Sequence, residues 1–293
     1  MDLTELFCDV DDFVQSKQHN GPKQINHNKD KNNYFRSNKL SNSEIITIAI
    51  AYHQSGYKNF KAYYREYVIK YLNFQFPQLV SYNRFIELMS TVIALSTDYL
   101  ISKFGKNTGI SYIDSTPIQV CKPKRISRNK VFKDLATKAK STIGWFFGFK
   151  VHLIINECGE LLSVHFSKAN VDDRTPVLTM TKKIMGKLFG DKGYISKELT
   201  DKLFKNGLQL ITGIKKNMEN KLLPMIDKIL LRKRSIIETV NDQLKNISNI
   251  EHSRHRSAKN FIVNLLCSLI AYAIKPKKPC IAGINREKLI MIN

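Results

Sequence analysis

Gly109-Ile-Ser-Tyr-Ile-Asp-Ser-Thr-Pro-Ile-Gln-Val-Cys121 is where the chain changes character. Upstream, apolar residues recur at helical spacing. Here Tyr112, Ile113, Ile118 and Val120 form an extended, strand-like run. Asp114 interrupts it, and a carboxylate on a central strand is costly unless it is paired or bound to a cation. Two further β-rich runs follow, Phe146 to Ile155 and Leu161 to Phe166. Asn156-Glu-Cys-Gly-Glu160 joins them as a hairpin loop. A helix is expected over Arg174 to Met185, capped by Asp172-Asp173. A short buried strand runs from Lys187 to Asp191, a helix from Ser196 to Lys205 stopped by Gly207, and a strand from Leu208 to Ile214. Amphipathic helices over roughly 222 to 249 and 257 to 275 end at Pro276 and Pro279. Three strands followed by βα alternation make an α/β protein: a mixed sheet flanked by helices.

Working back towards the N-terminus, Leu3, Leu6, Phe7, Val10, Phe13 and Val14 form one helical stripe. The polar stretch Gln15 to Ser37 reads as a mobile linker. Ser43 is the expected N-cap of a helix ended by Gly56. Phe60 to Tyr71 is an aromatic-rich helix whose tyrosines suit helix packing, with base stacking as the alternative. Ser81 opens a helix to about Lys103. The expected division is a helical domain over 1–105, a sheet-bearing domain over 106–279 and a tail over 280–293.

The charge bounds the partner. Lys+Arg 47 against Asp+Glu 25 gives a formal charge of +22. That field attracts phosphates at long range and puts nucleic acid ahead of a ribosomal role or a membrane surface. The five cysteines contain no CxxC pair and read as thiols in a reducing cytoplasm. The apolar run Phe261 to Ile274 contains Asn264 and is too short to span a bilayer.

In a chain this basic, three acids stand out. Asp114 lies mid-strand, and Asp191 follows Phe189-Gly190 at the carboxyl end of a strand, where open α/β sheets place ligands. Glu238 lies on the helix whose apolar stripe is Leu230, Ile237, Val240, Leu244 and Ile247. Arg234, Asn241, Asp242 and Lys245 share its polar seam. Three oxygen donors suit Mg²⁺ or Mn²⁺, in a pair able to activate an attacking oxygen and stabilise a leaving one. Each acid also has a plain reading: a turn cap at Asp114, a Lys192 partner at Asp191, a Lys245 partner at Glu238. Asp172, Asp173 and Asp242 look like cap or helix-surface residues. The candidate phosphate contacts are Lys122, Lys124, Arg125, Arg128 and Lys130, expected to project beside Asp114, with Lys150, Arg234, Lys245, Arg254 and Arg256. His152 reads as a core or edge histidine.

These residues resemble the DDE transposases of bacterial insertion sequences, most closely the group named after insertion sequence nine-eight-two. The matching strings are Ile113-Asp-Ser-Thr-Pro-Ile118, Phe147-Gly-Phe-Lys-Val-His-Leu153, Ala169-Asn-Val-Asp-Asp-Arg174, Gly190-Asp-Lys-Gly-Tyr194, Lys233-Arg-Ser-Ile-Ile-Glu238 and Glu251-His-Ser-Arg-His-Arg-Ser257. The similarity runs from about Ser37 to Pro279. It implies an RNase H-like catalytic domain behind an all-helical N-terminal DNA-binding domain. Asp114, Asp191 and Glu238 match the catalytic, metal-holding acids, and Arg234 and Lys245 match the basic flanks of the glutamate signature. Leu231 departs from the tyrosine of related groups. The implied activity is Mg²⁺-dependent cleavage at terminal inverted repeats and strand transfer into target double-stranded DNA. It would be carried out by at least a homodimer at the bacterial nucleoid, away from any membrane. A nuclease that does not join strands and an inactive DNA-binding relic are the alternatives.

Overall fold

The structure is a computed structural model in which residues 2–20, 40–141, 144–214, 218, 222–251 and 255–281 are described. They fall into two compact units, Met1–Lys103 with Asn246–Lys275, and Phe104–Lys245 with Pro276–Asn293.

The first unit is helical. Its first helix, Leu3–Asn20, runs on through the first part of the expected linker, whose remainder lies outside the described residues. The next helix, Asn42–Gln54, is capped by Ser41 rather than Ser43. Ser41 and Glu44 form a reciprocal capping box, which satisfies two otherwise orphaned N–H groups. Ser43 is buried and donates instead to Asp11 Oδ1 at 2.6 Å. Phe60 to Tyr71 is helical with a π-turn over Tyr63–Val68. Tyr63 and Tyr64 are core residues, whereas Tyr67 and Tyr71 are exposed. Among the described residues one helix, Tyr82–Ser102, is long and apolar enough to cross a membrane. It carries Arg84, Glu87 and Asp98 and buries Phe85, Leu88, Met89, Val92, Tyr99 and Leu100 in the protein.

The last helix, Ala258–Ala273, packs with this unit, against Asn42–Gln54 and Ile93–Ser102. Chain order had grouped it with the sheet. It is apolar nearly all round, so its sequence does not say which core it fills. Asn260 Nδ2 donates to the Ile86 carbonyl at 3.0 Å and helps to fix it there.

The second unit is a mixed sheet with helices on its faces. Its strands are β1 (Ile110–Cys121), β2 (Thr137–Ser141), β3 (Gly144–Asn156), β4 (Leu161–Lys168), β5 (Gly186–Gly190) and β6 (Leu208–Thr212). Their order is β2-β3-β1-β5-β6, with β4 also on β3. β3 pairs antiparallel with β1 along one edge. Its other edge is shared, Gly144 to Gly148 with β2 and Phe149 to Ile155 with β4. β5 is parallel to both β1 and β6.

The strand β2 follows the basic residues 122–130, where no strand was expected. Thr137, Ala139 and Ser141 are half-buried while Lys138 and Lys140 are exposed. No large apolar residue marks the alternation, and exposed lysines suit an edge strand because they deter further pairing. The helix expected over Arg174 to Met185 shrinks to one turn, Val177–Met180. Thr181 Oγ1 bonds back to the Val177 carbonyl at 2.8 Å and the chain turns off to Gly186, whose φ of 96° is left-handed.

One face of the sheet is a core of Ile113, Ile154, Leu188 and Leu208 against Val177, Met180, Leu199 and Leu203. The other face receives Met225–Arg232, packed on β5 and β6, and Ser235–Asp242, packed on β1. The expected single helix over 222–249 is therefore two helices with a break at Lys233–Arg234, continuing into a π-turn over Gln243–Ile247.

Candidate active site

Strand alternation decides which residues face the second pair of helices. Successive side chains on a strand point to opposite faces. Ile113 belongs to the apolar core on one side. Tyr112 and Asp114 point to the other, where Tyr112 Oη donates to the Leu230 carbonyl at 3.3 Å. On β5, Lys187 reaches Asp227 of the first helix at 2.7 Å and Phe189 stacks on Tyr112 with centroids 5.4 Å apart. Asp191 continues that alternation in extended backbone, φ −72° and ψ 167°, just past the strand end. The parallel register pairs Tyr112 with Phe189, so the same offset carried on sets Asp191 level with Asp114. Gly190 permits the close approach: a Cβ there would meet Ile113 Cγ2 at 3.1 Å and Tyr194 Cδ2 at 3.1 Å.

Glu238 comes from the helix lying on β1. Its Oε1 accepts from Arg234 Nη2 at 2.6 Å, so its partner is Arg234. One turn further along, Asn241 Nδ2 donates to Asp114 Oδ2 at 2.9 Å. The amide is buried, and among the described residues its Oδ1 has no hydrogen-bond partner.

The three acids are electrostatically coupled. Burial is the main reason that the Asp114 carboxyl is raised to about 6. The backbone N–H of Ser115 and the Arg234 charge oppose the rise; the Glu238 and Asp191 charges add to it. Asp114 is thus a carboxylate short of positive charge at neutral pH. Glu238 and Asp191 are more exposed to water. Among the described residues no group of three or more His, Cys, Asp or Glu side chains is drawn together tightly enough to hold a metal ion. Arg234 supplies one reason, because it takes up the Glu238 carboxylate. The donor set itself fits a hard divalent cation: carboxylate oxygens, one half-buried and two exposed, at an edge open to water.

The other candidates are scattered. Lys122, Lys124, Arg125, Arg128 and Lys130 are exposed on and beside the 3-10 turn Pro123–Arg128. That turn follows Cys121 at the far end of β1, and at about 3.3 Å per residue the strand carries it roughly 20 Å from Asp114. The turn then packs back on β3. Lys150 is engaged: its Nζ donates to Asp173 Oδ1 and to the Val171 carbonyl, each at 2.9 Å. Asp173, read as a cap residue, is thus an ion-pair partner, while Asp172 does brace its turn through Arg174. His152 is a core histidine as expected, fully buried opposite Ser115 and hydrogen-bonded to Ser167 Oγ at 2.8 Å. Burial lowers its pKa to about 4, against the nearby Asp173 charge. Lys245 is half-buried in the π-turn. Arg256 is exposed in the first unit, and Arg254 lies outside the described residues. Tyr194, three residues past Asp191, belongs to the apolar core with Ile113 and Leu188. Its ring is buried, and burial with the Asp114 and Asp173 charges raises its pKa.

A protein-family model described as a transposase DDE domain matches residues 104–258, more than half of the 293-residue chain. No curated protein matches the chain.

Proposed function

The chain belongs to the family of transposase DDE domains, and from that premise we propose that it is the transposase of an insertion sequence of the nine-eight-two group. Its second unit acts as an RNase H-like catalytic domain. Its helical unit binds the element's ends. Asp114, Asp191 and Glu238 are the catalytic acids. The reaction is cleavage at a terminal inverted repeat, followed by attack of the freed 3′-OH on target DNA. Both steps are in-line displacements at phosphorus, so one site can serve both.

The single observation that carries this reading is the coupling of three carboxylates at one end of a parallel strand pair, with Asp191 and Glu238 both raising Asp114. Asp114, Asp191 and Glu238 would hold Mg²⁺ or Mn²⁺, in a pair on this reading. When bound, the cations supply activation of the attacking oxygen and stabilisation of the leaving one. The protein's own groups do the rest. Asn241 fixes the Asp114 carboxylate. Arg234 neutralises Glu238, and its guanidinium, when freed from that pair, would suit a phosphate. The exposed cations of 122–130 hold flanking phosphates. Joining two ends requires at least a dimer at the nucleoid.

The test uses purified full-length protein and duplexes carrying the element's end. Asp114→Asn, Asp191→Asn and Glu238→Gln should each bind the end and lose Mg²⁺-dependent cleavage. Cleavage retained in any of them removes that residue from the site. Cleavage without strand-transfer products would point to a nuclease instead.

A further inference from the structure

We propose that Asn241 is a positioning residue that sets the separation of Asp114 and Glu238 and so tunes cation affinity. The proposal rests on the reading of these acids as a cation site. The Asn241–Asp114 hydrogen bond, at 2.9 Å, ties the helix that carries Glu238 to the strand that carries Asp114. Glu238 and Asn241 are three residues apart on that helix and therefore share a side of it. A shift of the helix along β1 would break this bond and move Glu238 by the same amount.

The choice of an amide is chemically specific. Asp114 is half-buried and needs hydrogen bonds, yet must stay open to a cation. Lysine or arginine at 241 would satisfy the carboxylate with a full charge and compete with the metal. Aspartate would repel it. Alanine would leave it without this donor. Asparagine donates one neutral hydrogen bond to Oδ2 and leaves the carboxylate's charge in place. The amide is only 8% exposed and, among the described residues, its Oδ1 has no partner. Native interiors seldom leave such an acceptor unsatisfied, and an ion site with its bound water would supply donors. Supporting groups of this kind are worth about 10- to 100-fold in metal affinity.

The experiment compares full-length wild type, Asn241→Ala and Asn241→Asp by thermal melting at increasing Mg²⁺, and in parallel with Ca²⁺. Asn241→Ala should raise the cation concentration at half-maximal stabilisation by about tenfold or more. Asn241→Asp should be the least stable without cation and regain stability as cation is added. A purely structural asparagine would lower the melting temperature equally at every cation concentration and leave the midpoint in place. That result overturns the proposal alone. A wild type that shows no cation-dependent stabilisation overturns the cation site, and the proposal with it.

Discussion

Arg234 and Glu238 lie one helical turn apart, and the guanidinium of the first holds the carboxylate of the second at 2.6 Å. The arginine side chain is 22% exposed and the glutamate 55%. On the proposed function, this guanidinium competes with the cation for Glu238. Arg234→Ala should lower the Mg²⁺ concentration needed for half-maximal thermal stabilisation by a few-fold, because removing a competing charge across this gap is worth about 1 kcal/mol. Cleavage should fall nonetheless if the guanidinium also meets phosphate. An unchanged or raised midpoint would show that Arg234 does not compete for the site.

Asp114 links pH to stability. Burial raises its carboxyl from 3.8 to about 6. The fold favours the protonated form, so the group's contribution is complete below 3.8 and is lost as pH rises through about 6. Asp114→Asn, which stays neutral, should stabilise the cation-free protein at pH 7 by about 1–3 kcal/mol. Urea titrations at pH 4 and pH 7 test this. Equal stability of variant and wild type at pH 7 would contradict it.

His53 acts with the opposite sign. Burial lowers its pKa to about 4, although its Nδ1 makes a 2.6 Å hydrogen bond to the Ser248 carbonyl. The fold favours the neutral ring, so the contribution is complete above 6.5 and is lost as pH falls towards 4. His53→Gln should flatten the acid limb of the stability curve over that range. A limb as steep as the wild type's would exclude His53 as its source.

Lys187 and Asp227 join β5 to the helix Met225–Arg232 at 2.7 Å, with Asp227 only 1% exposed. Removing the lysine strands a buried charge, at a cost of about 3–5 kcal/mol. Lys187→Met should therefore be far more destabilising than Asp227→Asn in chemical denaturation. Equal losses would mean that water reaches Asp227.

The basic turn should contact DNA away from the scissile bond. With Lys124, Arg125 and Arg128 all replaced by alanine, the slope of log binding constant against log salt should fall by about 2 to 3. An unchanged slope would remove the turn from the interface.

Much of the catalytic unit is legible along the chain. The run around Asp114 and the stretch ending at Asp191 stand out because inner strands bury both faces and so read as apolar runs broken by acids. The Glu238 helix is visible through Ile237, Val240 and Leu244, all buried, whereas Leu230, read on the same stripe, is buried on the preceding helix Met225–Arg232. Ile247, placed on the same stripe, is half-exposed because the π-turn there rotates it away. The strand β2 was not legible, since threonine, alanine and serine carry too little apolar contrast to mark an inward face.

By itself the sequence determined the local periodicities, the strong positive charge and the types of side chain available for chemistry. These depend on near neighbours in the chain and on composition. Tertiary structure alone decided that Lys150 meets Asp173, that Asn241 meets Asp114 and that the last helix fills the first unit's core. Such pairings join residues far apart in the chain, and their free energy comes from desolvation and contact that exist only once the elements have packed.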